Sequence, residues 1–199
     1  MKRILSVWLL LAAITASMFL FSACGETPSD TSSHRVAIEV ENYGTIKLEL
    51  YPNKAPITVA NFEKLVRAGF YDGLTFHRIM KGFMIQGGDP NGDGSGGAPD
   101  TIKGEFSQNG YRGNDIRHER GVISMARGSS NDSASSQFFI VHKDTPSLNG
   151  SYAAFGRVTE GMDVVDKIAE APVKYNRTGD EKCIPLTPIV ITRIYMIED

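Results

Sequence analysis

Several short runs carry side chains that could do chemistry. Arg78 follows His77 in Phe76-His77-Arg78-Ile79. An arginine stays charged at any physiological pH and presents a rigid fork of N–H donors, so it can stabilise a lone pair or an anion but cannot serve as a base. Taken alone, an arginine on a strand is by default solvated or ion-paired. His77 has no Cys or carboxylate at metal-ligand spacing and reads as structural. Asp89-x-Asn91-x-Asp93-Gly94 matches the first half of a calcium loop, and Asp100 stands at the twelfth position, where Glu is usual. Strands and Pro-rich turns flank it instead of helices, so no metal is assigned. Gly94-Ser95-Gly96-Gly97 lacks the Gly-Lys-Ser/Thr ending of a phosphate loop, which argues against a nucleotide.

The elements that must position these residues follow from periodicity. Val36, Ile38 and Val40 alternate with other residues, as do Ile46, Leu48 and Leu50, and Asn42-Tyr43-Gly44 lies between, which predicts an antiparallel hairpin. A helix is expected from Pro56, with Val59, Phe62 and Val66 on one face and Gly69 at its end. Residues 75–86 predict one or two strands, followed by a glycine-rich loop over 87–99 and a polar, irregular stretch to Arg120. Val122-Ile123-Ser124-Met125, Phe138-Phe139-Ile140-Val141 and residues 153–158 read as strands. Thr159 is the expected cap of a second helix carrying Met162, Val165, Ile168 and Ala169, and Ile189 to Ile197 forms a last strand. Many strands with two separate helices do not fit βαβ alternation. They predict a mainly β fold, a closed antiparallel barrel covered by helices.

The chain of 199 residues has room for one domain and a targeting segment. Its formal net charge of -2 gives no basic excess for nucleic acid. Lys2 and Arg3 precede an apolar run from Ile4 to Phe21, then Ser22-Ala23-Cys24-Gly25. This looks like a bacterial lipobox, with Phe21 where Leu is usual, and predicts a signal peptide over 1–23 and a diacylglycerol-modified Cys24. An uncleaved signal anchor is the alternative; either exports the domain and ties it to a membrane. Residues 24–33 are small and polar and read as a tether, and 34–199 as the folded domain. With Cys24 lipidated, Cys183 is the one remaining thiol, no intramolecular disulfide can form, and a loop or strand-edge position is expected for it.

Phe76 to Asp89 reads F-H-R-I-M-K-G-F-M-I-Q-G-G-D; G-V-I-S-M-A-R starts at Gly121, S-Q-F-F-I-V at Ser136, L-N-G at Leu148 and F-G-R-V at Phe155. Together these runs resemble the cyclophilin family, over essentially the whole domain. The resemblance implies an eight-stranded antiparallel barrel capped by two helices, and peptidyl-prolyl cis/trans isomerase activity. It makes Arg78 the catalytic arginine. Phe83, Met84, Phe139 and Leu148 match the walls of the proline pocket, and Gln86 the residue that holds the substrate backbone. Ala126, Arg127 and Gln137 match the peptide groove, with Arg127 in place of an asparagine common in the family. Alternation lets one of Phe138 and Phe139 face the groove, and the resemblance assigns Phe139. Ser147 occupies a position that is often Trp, and Tyr152 that of the pocket histidine, which implies weak cyclosporin binding.

The implied reaction breaks no bond. Rotation about the amide C–N bond costs about 18–20 kcal/mol, because its partial double bond is lost in the twisted state. That state regains a nitrogen lone pair and is less polar, so it needs a donor and a dry pocket but no nucleophile, base, metal or cofactor. The expected protein is a monomeric, membrane-tethered isomerase acting on proline-containing segments of exported proteins. A proline-peptide binding module and a calcium-stabilised scaffold are the alternatives; retention of Arg78 favours the enzyme over the pure binder.

Overall fold

The computed structural model describes residues 34–198. The segment that carries Lys2, Arg3 and Cys24, and the tether, lie outside the described residues.

The first hairpin forms where alternation places it. β1 (Arg35–Val40) and β2 (Gly44–Leu50) pair antiparallel, with Val36 opposite Leu48 and Ile38 opposite Ile46. The turn between them uses Asn42 at φ 62° and Gly44 at φ 122°, a backbone region open to these residue types. α1 (Pro56–Arg67) begins at the predicted proline, buries Val59, Phe62 and Val66, and ends before Gly69 at φ +66°. Its N-cap residue Ala55 offers no side-chain acceptor. Glu105, from the irregular stretch, supplies it: the buried carboxylate accepts the Ile57 and Thr58 N–H groups at 3.0 and 2.8 Å and the Thr58 hydroxyl at 2.7 Å.

β3 (Arg78–Met80), β4 (Met84–Gly87), β5 (Val122–Met125), β6 (Phe138–Val141) and β7 (Ala154–Glu160) follow, then α2 (Met162–Ala169). The cap of α2 differs from expectation. Thr159 still belongs to β7, its hydroxyl donating to the Lys47 carbonyl at 3.2 Å, and Gly161 at φ +87° starts the helix. Two further strands, β8 (Val173–Tyr175) and β9 (Lys182–Pro185), make a separate hairpin before β10 (Ile191–Met196). Cys183 is buried in β9.

Eight strands form one antiparallel sheet in the order β10-β1-β2-β7-β5-β6-β4-β3. The expectation of a closed barrel is corrected here: β10 and β3 are the two edges and do not pair, so the sheet is an open half-barrel. The gap is met by the bent segment 73–76, which makes backbone bonds from Gly73 to Ile191, from Ile191 to Leu74 and from Phe76 to Ile189 at 2.7–3.0 Å. Within it Thr75 makes isolated antiparallel bridges to Val190 and to Asp89 in place of a continuous ladder.

Strand alternation sorts side chains onto the two faces of this sheet. The concave face holds the main core, where Phe62, Tyr71, Phe76, Phe138 and Phe155 pack with Ile38, Ile85, Ile123 and Ile140. The other face of β4, β5, β6 and the start of β7 carries a second apolar cluster of Met84, Val122, Phe139, Val141 and Ala154. Phe83, Ala126, Leu148 and Tyr152 pack against it, half-buried.

Candidate active site

Register builds the site. Arg78 on β3 pairs with Gln86 on β4, Gln86 with Phe139 on β6, and Phe139 with Ser124 on β5. Four residues from three separate stretches of the chain therefore stand in one row across the sheet. The next row brings Met80, Met84 and Val141 together in the same way. The tight approach of β4 to β6 just beyond Gln86 requires glycine: at Gly88 (φ +83°) a Cβ would lie 2.5 Å from the Ser136 carbonyl.

A depression of about 170 Å³ opens above these rows. Arg78, Phe83, Met84, Gln86, Ala126, Arg127, Phe139, Leu148 and Tyr152 line it. Every residue expected from sequence contributes to this lining except Gln137. Its size is below the 300–1,000 Å³ or so of a cofactor or drug site and suits one side chain. Gln137 lies at the adjoining polar depression of about 290 Å³, which shares Gln86, Ala126 and Arg127 with the first and is bounded by Gly94 to Gly96, Ser133 and Ser135. Through these shared residues the two adjoin as one groove, with the large hydrophobic side chains gathered at the first.

Directed hydrogen bonds run the length of the groove. Arg78 Nη1 donates to Gln86 Oε1 at 3.2 Å, Gln86 Nε2 to Gln137 Oε1 at 2.8 Å, and Gln137 Nε2 to the Gly96 and Gly94 carbonyls at 2.7 and 3.0 Å. Each amide is used as donor and acceptor, which fixes both glutamine orientations. Arg78 also lies over the Phe83 ring at 5.8 Å. On its other side it meets Glu181, which the sequence reading does not include: Nε donates to Oε2 at 2.6 Å and Nη2 to Oε1 at 2.7 Å. These bonds hold the guanidinium pKa above its usual value and the Glu181 carboxyl below its own.

Arg127 lines both depressions with its guanidinium held in place. Its guanidinium sits over Phe106 and Tyr152 at 5.2 and 4.9 Å, and Nε and Nη1 donate to the Ser151 and Gly128 carbonyls at 3.0 Å each. Tyr152 meets Phe139 edge to face at 5.7 Å. A second residue absent from the sequence reading, His118, stacks on Phe139 and bonds to Ser124 and Asn149. Ser147 is exposed, in the single 3-10 turn that ends at Leu148.

The acidic glycine loop is internally satisfied. Asp89 is buried, and its carboxylate accepts the N–H groups of Asn91, Asp93 and Gly94 at 2.6–3.1 Å. Asp93 accepts from Ser95, and Asp100 faces Lys64 at 3.9 Å. These carboxylates fold the loop and do not converge on a common point; among the described residues no His, Cys, Asp and Glu side chains are grouped to hold a metal ion. Neither nitrogen of buried His77 reaches a partner in hydrogen-bonding geometry. Burial lowers its pKa, against the opposing influence of Asp89 and the Thr75 backbone.

Comparison with known proteins places this architecture. Residues 35–196 match the family model described as cyclophilin type peptidyl-prolyl cis-trans isomerase/CLD. Peptidyl-prolyl cis-trans isomerase B of Bacillus subtilis is 49% identical over 134 residues, 67% of this chain and 90% of that one. Peptidyl-prolyl cis-trans isomerase A of Dickeya dadantii is 38% identical over 202 residues, covering 99% of this chain and 98% of its own. A crystal structure of a Cryptosporidium parvum cyclophilin, obtained in the presence of the dipeptide Ala-Pro, superposes with a TM-score of 0.72 at 33% identity, over 83% of this chain and 99% of that one.

Proposed function

The chain belongs to the cyclophilin-type peptidyl-prolyl cis-trans isomerases, and from that premise we propose that it turns X-Pro bonds of exported polypeptides at a membrane surface, with Arg78 as the catalytic residue. The observation that carries the site assignment is that a guanidinium fixed by Glu181 borders a depression of about 170 Å³ walled by Phe83, Met84, Phe139 and Leu148.

The proline ring rests on Phe83, Met84, Phe139 and Leu148, which exclude water and favour the less polar twisted amide. Arg78 Nη1 stands on the pocket side, between Gln86 Oε1 and Met84 Sδ. From there it donates to the lone pair that appears on the proline nitrogen as resonance is lost. Gln86 and Gln137 hold the flanking backbone, so that one side of the bond is fixed while the other rotates. Ala126, Arg127 and Tyr152 border the path of the chain. The reaction moves no proton and transfers no group.

Attachment to the membrane rests on the leader and the Ser22-Ala23-Cys24-Gly25 run. Acyl chains contribute about 0.8 kcal/mol per buried CH₂, so two or more hold a protein stably on a bilayer.

The test is proline-peptide isomerisation by residues 25–199 and by the Arg78→Ala variant. Arg78→Ala should lower kcat/KM by about 100-fold or more, on the order of 3 kcal/mol. Peptide affinity should change much less. A variant that keeps most of its activity would refute the assignment of Arg78.

A further inference from the structure

Glu181 has no place in the groove, yet it makes the shortest polar contacts of Arg78. It reaches the arginine from 103 positions later in the chain, on the β8–β9 hairpin outside the eight-stranded sheet. The carboxylate takes the Nε and Nη2 edge of the guanidinium in a two-bond fork. Nη1, the donor on the pocket side, is left to Gln86. A two-bond fork fixes the plane of a guanidinium as well as its position, which a single contact cannot do.

The hairpin is built to hold that carboxylate still. The Asn176 N–H donates to the Glu181 carbonyl at 2.8 Å, and Asn176 Oδ1 accepts the Gly179 N–H at 3.0 Å. Cys183, two residues on, is buried at 2% exposure and anchors β9, which packs along β3. Its thiol lies beside the ion pair and is pushed up to about 11 by burial and by Glu181, so it stays neutral there. Arg78 and Glu181 are themselves 29% and 27% exposed, so the pair is shielded in part and open on one side.

We propose that Glu181 is a positioning residue for the isomerisation, setting the plane of the Arg78 guanidinium so that Nη1 points at the proline nitrogen. This rests on the reading of Arg78 as the catalytic residue. A free arginine side chain samples many rotamers, and a misplacement on the order of 1 Å can cost a catalytic group about 100-fold. The Glu181 fork removes that freedom before substrate arrives. A carboxylate so close also damps the positive charge, so removing it could in principle raise activity; the fork on Nε and Nη2, clear of Nη1, is the geometry in which orientation outweighs damping.

The experiment is a double-mutant cycle of Glu181→Ala and Arg78→Ala, with Glu181→Gln as the variant of matched shape, in the peptide isomerisation assay. Glu181→Ala should lower kcat by about 10-fold with KM within about twofold, and Glu181→Gln by less, because one oxygen still accepts. In the Arg78→Ala background, Glu181→Ala should have no further effect, since it acts only through the arginine. If Arg78→Ala is inactive while both Glu181 variants keep wild-type kcat, or gain activity, the positioning role is wrong and the catalytic assignment stands. Additive losses in the double variant, or a loss confined to KM, would likewise overturn it as a merely structural contribution. If Arg78→Ala is fully active, the catalytic assignment fails and this role falls with it.

Discussion

His118 lies against Phe139 with ring centroids 5.9 Å apart and planes 19° from parallel. Its Nε2 is 3.0 Å from Ser124 Oγ and its Nδ1 3.2 Å from Asn149 Oδ1. The imidazole is thus a shelf for a wall of the pocket, wedged between two neutral partners and 1% exposed. Burial lowers its pKa in spite of Asn149, as burial also lowers that of His77.

Stability should therefore fall in mild acid. Both histidines bind protons less readily in the folded chain than in the unfolded one, whose imidazoles titrate near 6.5. Their contribution is complete above about pH 6.5 and is lost as pH drops below it, because only the unfolded chain gains protons there. The slope is at most about 1.4 kcal/mol per histidine per pH unit. Urea unfolding at pH 7.5 and 5.5 should show the loss, and His118→Gln should lessen it. An equal loss in that variant would remove His118 from the account.

Glu105 should matter to stability far more than its place in an irregular segment suggests. Glu105→Ala strips three bonds from the first turn of α1 and leaves the Thr58 hydroxyl and N–H buried without a partner. A loss of about 2–4 kcal/mol is expected in chemical unfolding, with Glu105→Gln losing roughly half as much. A change under about 0.5 kcal/mol, the size of an ordinary surface substitution, would show that the cap is dispensable. Turnover by the protein that remains folded should be unaltered.

Ser147 is expected to weaken inhibitor binding. It is exposed beside Leu148 and has neither an indole N–H nor a large apolar face to offer a ligand that overhangs the rim. The missing contact is worth about 2–4 kcal/mol, or roughly 30- to 1,000-fold in affinity for cyclosporin. Ser147→Trp should recover much of it and change peptide turnover only modestly, since the proline ring rests elsewhere. Trp8 is the sole tryptophan of the full chain, so in residues 25–199 the new indole reports binding by fluorescence without background. Nanomolar inhibition of the unaltered protein would mean that this position counts for little.

The proposed attachment turns on Cys24. Cys24→Ser should leave the protein unprocessed or release it from membranes, and mass spectrometry of the wild-type N-terminus should find a diacylglycerol-bearing cysteine. Unlipidated wild-type protein, cut elsewhere and free in solution, would count against anchoring through this residue.

Sequence pattern makes some of this molecule legible and not the rest, for physical reasons. Period-two alternation in β1 and β2 reports which face is buried; in β6, buried throughout, it puts Phe138 and Phe139 on opposite faces, and the family resemblance, not the pattern, assigns Phe139 to the groove. Pro56 and Gly69 mark α1 because their backbone preferences are local. The pattern leaves one or two strands open over 75–86, the resemblance supplies the count of eight, and closure is legible in neither, since that depends on how segment 73–76 meets residues 189–191 at the seam. Thr159 and Gly161 both suit a helix start, and the length of β7 chooses between them. The β8–β9 hairpin is short and largely exposed, with no alternation to announce it. Glu181, Glu105 and His118 escape notice because their partners are distant or irregularly placed; only the fold brings Glu181 to Arg78.

Because β1 runs between β2 and β10, the first strand of the domain hydrogen-bonds to the last, with Val36 opposite Met196. Such a pairing closes the longest loop the domain contains, and its entropy must be met before the contact returns anything. The β1–β2 hairpin can zip as soon as it exists, but one edge of β1 stays bare until residues 191–196 arrive. In kinetic terms this is a high-contact-order fold whose final ladder waits for the C-terminus. During synthesis the domain passes through a state with an open strand edge, and C-terminal truncation would make that state permanent.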